Sequence, residues 1–213
     1  MAMPLQAWQG ARGLQHRRMK VLLVTAHPLS ASLCMRLADH LCETLEQAGH
    51  SVTRRDLYAE NYDPCLSADE RTAYFDKAFD DSAALSDVQG LVLVFPTWWF
   101  GLPAILKGWI DRSFMPGVAY DHAPNGGPMI PRLSGLRSVL AVTTLGAPWW
   151  YDRLIARRPV RRSLKWGVVK PCAPKARFRM LSLYQSESVA PEKLNRFESR
   201  IEAAAQSLFP NNL

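Results

Sequence analysis

Gly90-Leu-Val-Leu-Val-Phe95 runs straight into Pro96-Thr-Trp-Trp-Phe-Gly-Leu-Pro103 and then Ala104-Ile-Leu-Lys-Gly-Trp-Ile-Asp-Arg-Ser-Phe114. The first part is an unbroken apolar run rich in Val and Leu. It is too short for a core helix and reads as a strand buried on both faces, the signature of a parallel sheet covered by helices. Pro103 suits a helix first turn and opens a helix over Ala104–Phe114. Two tryptophans and a phenylalanine fill the loop between strand and helix, where a parallel sheet places its ligands.

Moving outward, the same alternation repeats. Lys20–Ala26 is a second buried strand, closed by His27-Pro28. Leu33, Leu37, Leu41 and Leu45, with Ala38 and Cys42, predict an amphipathic helix over Ser32–Ala48. Ser51–Leu57, Leu136–Thr144 and Phe178–Tyr184 read as further strands. Ser67-Ala68-Asp69-Glu70 is a capping-box start, and Pro191–Leu208 a closing helix. Strands alternating with helices predict an α/β three-layer fold. Neither repeats nor a low-complexity linker interrupt it.

The chain has 213 residues, 48% hydrophobic and 21% charged, enough for one ordinary domain with a substantial core. We expect residues 1–18 to be a disordered extension, or Met19 to be the true start, and 19–213 to form a single domain. The net charge of +7 invites a nucleic-acid or membrane-surface reading. The excess, however, sits in two stretches. Residues 1–20 carry Arg12, Arg17, Arg18 and Lys20 with no acid, and residues 153–179 are basic with no acid; the rest is net acidic. We expect no nucleic-acid binding. Pro159, Pro171 and Pro174 are expected to break the second stretch, so that it forms no long basic helix.

No apolar run approaches the length of a membrane span. Arg17-Arg18-Met19-Lys20 before Val21–Val24 imitates a signal peptide but stops too early. Leu33 is wrong for lipoprotein cleavage before Cys34. A cytoplasmic protein with reduced thiols is expected. Cys34, Cys42, Cys65 and Cys172 show no CxxC spacing, and the five histidines no HxxxH pair, so no metal site is expected.

Chemistry is sought in three loops that follow apolar strands: Ala26–Cys34, Pro96–Gly101 and Thr143–Tyr151. The first leads into a helix N-terminus, a natural phosphate seat. It lacks glycine, which excludes a P-loop or GxGxxG turn, and Ser30 or Ser32 could equally serve only as a cap. The second offers flat aromatic surfaces on which a planar heterocycle stacks; the same side chains could instead be core or dimer contacts.

Phe95–Phe114 closely resembles the signature of the NAD(P)H:quinone reductase family, which includes DT-diaphorase and the modulator-of-drug-activity proteins. His27-Pro28 with Ser32, Asp56-Leu57-Tyr58-Ala59, Pro116–Tyr120 and Thr143-Thr144 with Tyr151 extend the resemblance from Met19 to the final helix. It implies a flavodoxin-like fold with a five-stranded parallel sheet of order 2-1-3-4-5. It implies a flavoprotein, with FMN slightly favoured over FAD by the intermediate length of Tyr58–Gln89. It also implies NADPH or NADH as donor, a quinone or other aromatic acceptor, ping-pong two-electron transfer, and a homodimer.

Residue by residue, the resemblance assigns His27, Ser32, Leu33 and Cys34 to the flavin phosphate and ribityl chain. Pro96, Thr97, Trp98, Trp99 and Phe100 line the isoalloxazine, and Thr144, Leu145 and Gly146 its pyrimidine edge. Tyr151 reaches the same carbonyl region. Tyr120 and His122 close over the nicotinamide or quinone from the partner subunit, and Trp149, with Trp150, narrows the substrate cleft. Two departures stand out. Leu145 replaces a glycine and restricts positive φ. The histidine that some members carry six residues after the tyrosine is Arg157 here; it cannot shuttle a proton but can stabilise an anion.

The arginines Arg157, Arg158, Arg161 and Arg162 have three readings: solvated charges, contacts to the 2′-phosphate of NADPH, or contacts to an acidic partner. The alternative to an enzyme is a flavodoxin-like electron carrier, or an ancillary regulatory subunit of a potassium-efflux system.

Overall fold

The computed structural model describes residues 18–76 and 80–210; the extension expected over residues 1–18 lies, but for Arg18, outside them. Seven strands and seven α-helices are described in chain order: β1 (Lys20–Thr25), α1 (Leu33–Gln47), β2 (Ser51–Asp56), α2 (Ala68–Thr72), α3 (Asp80–Ser86), β3 (Gly90–Pro96), α4 (Ala104–Ser113), β4 (Tyr120–Asp121), β5 (Ile130–Pro131), β6 (Ser138–Leu145), α5 (Pro159–Arg162), α6 (Lys170–Cys172), β7 (Arg177–Tyr184) and α7 (Pro191–Leu208). Tyr151–Ile155 and Ser163–Val169 are π-helical, and Ser186–Ser188 is a 3₁₀ turn.

Five strands form one parallel sheet in the order β2-β1-β3-β6-β7, and β4 and β5 form a separate hairpin. Counted within the sheet alone, this is the expected 2-1-3-4-5. The central strands β3 and β6 are buried along their whole length, whereas β2 at the edge is partly open.

Side-chain alternation divides the core into two layers. Val21, Leu23, Val92, Val94, Leu140 and Val142 face one way and pack against Leu37, Leu41 and Leu45 of α1 and Phe197, Ile201 and Leu208 of α7. Leu22, Val24, Leu91, Leu93, Phe95, Val139 and Ala141 face the other, against Ile105, Leu106 and Trp109 of α4 and Val160, Leu164 and Val169. Each neighbour in the strand serves the opposite layer, which is why these runs read as continuously apolar.

Local signals perform as expected at several ends. Ser32 caps α1, its Oγ accepting the Met35 amide hydrogen at 3.3 Å. At α2 the Glu70 amide donates to Ser67 Oγ at 3.1 Å, and the Ser67 amide to Glu70 Oε2 at 2.9 Å.

The arginine-rich stretch departs from expectation. Residues 159–172 are helical throughout, passing from α5 through a π segment into α6. The prolines bound this helix rather than break it. Pro159 occupies the first position, where a missing N–H costs nothing, and Pro171 lies within the last turn. Val160, Leu164, Val169 and Cys172 bury one side of it, so it is a core-packing helix with charges outward.

Candidate active site

All five sheet strands run the same way, so their following loops collect at one edge. The chain leaves β1 towards β2 on one side and β3 towards β6 on the other, opening a crevice there. A cleft of ≈ 480 Å³ occupies this place.

At one end lies the N-terminus of α1, where Leu33 and Cys34 line the cleft. As the first two helical residues, their amides have no carbonyl four residues back to bond within the helix. With the helix dipole they form an anion seat. His27 adds a third donor. Its Nδ1 accepts the Leu29 amide hydrogen at 3.1 Å, which in the neutral ring leaves the proton on Nε2. Ser32 is committed to its cap and does not itself line the cleft.

The floor is laced together by hydroxyls and amides. The Thr97 amide donates to the Thr144 carbonyl at 2.8 Å, and the Thr97 and Thr143 hydroxyls meet at 2.7 Å. Cys34 Sγ lies 3.3 Å from Thr144 Oγ1. Burial pushes this thiol up to about 11, only partly offset by the Thr144 hydroxyl. It is therefore neutral at physiological pH and ties α1 to β6 rather than acting as a nucleophile.

The aromatic side is a strained turn. The Gly101 amide donates to the Trp98 carbonyl at 2.8 Å, and the residues between, Trp99 and Phe100, sit at φ 50° and 55°. Both carry side chains in the left-handed region, a cost of roughly 1–2 kcal/mol each. Such strain concentrates at functional sites. Pro96, Trp98 and Trp99 line the cleft, and the Trp99 side chain is fully exposed at 101%.

Leu145 needs no positive φ. It continues β6, paired with Tyr184, and is buried. The glycine that matters is the next one. A Cβ on Gly146 would fall 2.8 Å from Glu187 Oε1, so the bare backbone lets that carboxylate approach. Glu187 and Ser186 also line the cleft, and sequence reasoning passed over both. They follow β7, which like β2 is an edge strand without a continuous apolar run and so lies outside the three loops singled out from the sequence.

Other expected residues lie elsewhere. Phe100 points to Tyr151, ring centroids 5.2 Å apart, and Tyr151 meets Trp150 at 5.8 Å. Neither Tyr151 nor the exposed Arg157 and Trp149 line the cleft of this chain. Tyr120 and His122 belong to the β4–β5 region, where His122 meets Tyr120 at 5.3 Å and Phe75 at 5.7 Å. Among the described residues no group of three His, Cys, Asp or Glu could hold a metal, and no helix is long and apolar enough to cross a membrane.

Residues 19–203 match the family described as flavodoxin-like fold. The chain belongs to that flavodoxin-like family. Its curated relatives include an uncharacterized NAD(P)H oxidoreductase of Escherichia coli, 34% identical over 47% of this chain and 55% of that one. The ribosyldihydronicotinamide dehydrogenase [quinone] of Mus musculus is 30% identical over 63% of this chain and 67% of its own length. The chain thus spans little more than half of some relatives it matches. Among solved structures, Smu.1420 from Streptococcus mutans UA159 superposes with a TM-score of 0.78 at 27% identity, covering 89% of this chain and 100% of that one. The flavodoxin-like sheet order and the crevice at its switch point agree with this membership.

Proposed function

We propose that the chain is a flavin-dependent NAD(P)H oxidoreductase that reduces a quinone or a related aromatic acceptor by two electrons, donor and acceptor using the same face in turn. The observation that carries this reading is the two-ended cleft: an anion seat at α1 and an aromatic wall at Trp98 and Trp99, joined by the threonine floor. The likeness to an NAD(P)H oxidoreductase and to a ribosyldihydronicotinamide dehydrogenase [quinone] supports it.

The residues fit a flavin on structural grounds. Helix-start amides and His27 Nε2–H suit its phosphate, the Glu187 carboxylate suits the hydroxyls of a polyol chain, and the bare Gly146 backbone leaves room for both. Bound there, a flavin would supply hydride transfer, taking a hydride from NAD(P)H and passing it to the acceptor. The chain's work is binding and orientation. Leu33, Cys34 and His27 hold the phosphate; Thr97 and Thr144 hold two loops at fixed separation; Trp98 and Trp99 stack and exclude water. Tyr151, packed against Phe100 beside the cleft, and Arg157 would serve the acceptor, the phenol donating a hydrogen bond and the guanidinium stabilising negative charge. FMN is the favoured form.

Of the arginines, Arg161 is half-buried and turns towards an inner cavity with Asp152. Arg157 and Arg162 are the exposed ones and the better candidates for a 2′-phosphate. We also propose a homodimer in a cytoplasmic setting, with Tyr120, His122 and Trp149 reaching the partner's cleft.

The purified protein is expected to be yellow, to release FMN on heating, and to show ping-pong kinetics with NAD(P)H and menadione. Colourless protein that gains no flavin absorbance when FMN or FAD is added sinks this reading.

A further inference from the structure

Asp152 follows Tyr151 directly, yet it is only 8% exposed. A carboxylate withdrawn from water needs hydrogen-bonding compensation. Its Oδ2 accepts the Tyr184 hydroxyl hydrogen at 2.8 Å. Its backbone carbonyl accepts the Arg158 amide hydrogen, also at 2.8 Å. Among the described residues it forms no ion pair. Asp152, Arg158 and Arg161 instead border a small inner cavity, and two of its other lining residues, Thr97 and Leu145, also line the cleft. Thr97 and Leu145 therefore separate the cleft from the space that Asp152 borders.

The segment that Asp152 holds is conformationally costly. Tyr151–Ile155 is a π turn, closed by the Ala156 amide on the Tyr151 carbonyl at 2.9 Å. Arg157 and Arg158 then sit at φ 57° and 54°, a left-handed pair with side chains. Without an anchor, the right-handed alternatives would carry Tyr151 and Arg157 elsewhere. Tyr184, the last residue of β7, pairs in register with Leu145, so its hydroxyl is a fixed point on the sheet. The Asp152–Tyr184 bond ties the turn to that point.

We propose that Asp152 is a positioning residue: through the Tyr184 hydroxyl its carboxylate fixes the turn that holds Tyr151 against Phe100 beside the cleft and carries Arg157. It touches neither flavin nor acceptor. The role in turnover rests on the function proposed above; the anchoring itself does not. The anion seat at α1 is formed by other loops, so flavin affinity depends far less on the anchor than turnover does.

The test compares Asp152→Ala, Tyr184→Phe and Asp152→Asn with the wild type in the full-length chain. Hydrogen exchange is followed over 151–158, with FMN titration and menadione kinetics beside it. Tyr184→Phe removes only a hydroxyl, so it reads the proposal even if Asp152→Ala folds poorly. Exchange in 151–158 is expected to quicken in Asp152→Ala and Tyr184→Phe. Their kcat/KM for menadione should fall roughly 10- to 100-fold from the misplaced turn, while the FMN dissociation constant changes by no more than about 3-fold, because the phosphate seat at α1 is built by other loops. Asp152→Asn keeps an acceptor oxygen and is expected to restore most of both. Unchanged exchange, unchanged kcat/KM, or an asparagine variant as impaired as the alanine one would overturn the proposal. Wild-type protein that takes up no flavin defeats the functional reading instead, and the exchange comparison still decides the anchor.

Discussion

At the scale of single residues, burial decides which groups of this site can ionise. Cys34, beneath the cleft, and Cys172, on the opposite layer, are both raised to about 11 by desolvation. Tyr74 is raised to about 12 by burial and by the neighbouring Tyr120 phenol. The unfolded chain releases its thiol protons near 9.0, whereas the folded chain keeps them until about 11. Over that window the unfolded state binds fewer protons, so stability falls as pH rises. Thermal melts are expected to show a midpoint that is steady below pH 9 and declines towards pH 11. Cys34→Ser with Cys172→Ser should flatten the decline; an equally steep fall in that double variant would contradict the assignment. Cys34 was legible from its sequence position as a helix-face residue at the phosphate loop. Its bond to Thr144, 110 residues away, was not, because nothing local marks it.

At the scale of elements, the Pro103–Trp109 stretch shows how a motif acquires its meaning in packing. A Cβ added to Gly108 would lie 2.3 Å from the Pro64 carbonyl oxygen and 2.4 Å from its Cα. These are backbone atoms, which cannot swing aside. The glycine therefore sets the distance between α4 and the segment after β2, and α4 carries Trp109 into the core and begins where the aromatic turn ends. Gly108→Ala is expected to destabilise the fold by about 1–3 kcal/mol through overpacking, read as a lowered midpoint in urea with an unchanged slope. A variant as stable as the wild type would show that α4 yields freely. Elements were legible where their pattern was long and regular: α1 and α7 fall within a residue or so of expectation. The helix over 159–172 was not, because π geometry shifts its buried positions to Val160, Leu164 and Val169, off the usual spacing. Nor was the left-handed pair Trp99–Phe100, since composition at such a turn predicts glycine or asparagine.

At the scale of the whole molecule, the surface carries more aromatic area than one chain accounts for. Trp98, Trp99, Trp149, Trp150 and Trp166 are all at least 43% exposed. Large exposed apolar groups near a cleft mark an interface or a ligand. Tyr120 and His122, meanwhile, lie off the cleft of their own chain. The proposed homodimer would account for both, and on that proposal sedimentation is expected to give a particle twice the 24.0 kDa chain mass. A monomer at every concentration tested would leave Tyr120 and His122 without a role in the reaction. Net charge proves a poor guide at this scale. Its basic part lies partly on the outward side of a core-packing helix, where it accompanies burial of the other side.

The sequence by itself determined the layered α/β architecture, the five sheet strands, the two long helices of one face, and three of the loops that meet at the cleft. Those features follow from apolar runs and from caps, whose causes lie within a few residues of one another. Tertiary structure alone decided what the loops hold in common: the Thr97–Thr144 floor, Glu187 against Gly146, and the Asp152 carboxylate under the Tyr184 hydroxyl. Each joins segments far apart in the chain, and their meeting depends on strand order and register. Local hydrophobic periodicity specifies which face of a strand is buried, but not which distant residue will stand opposite it.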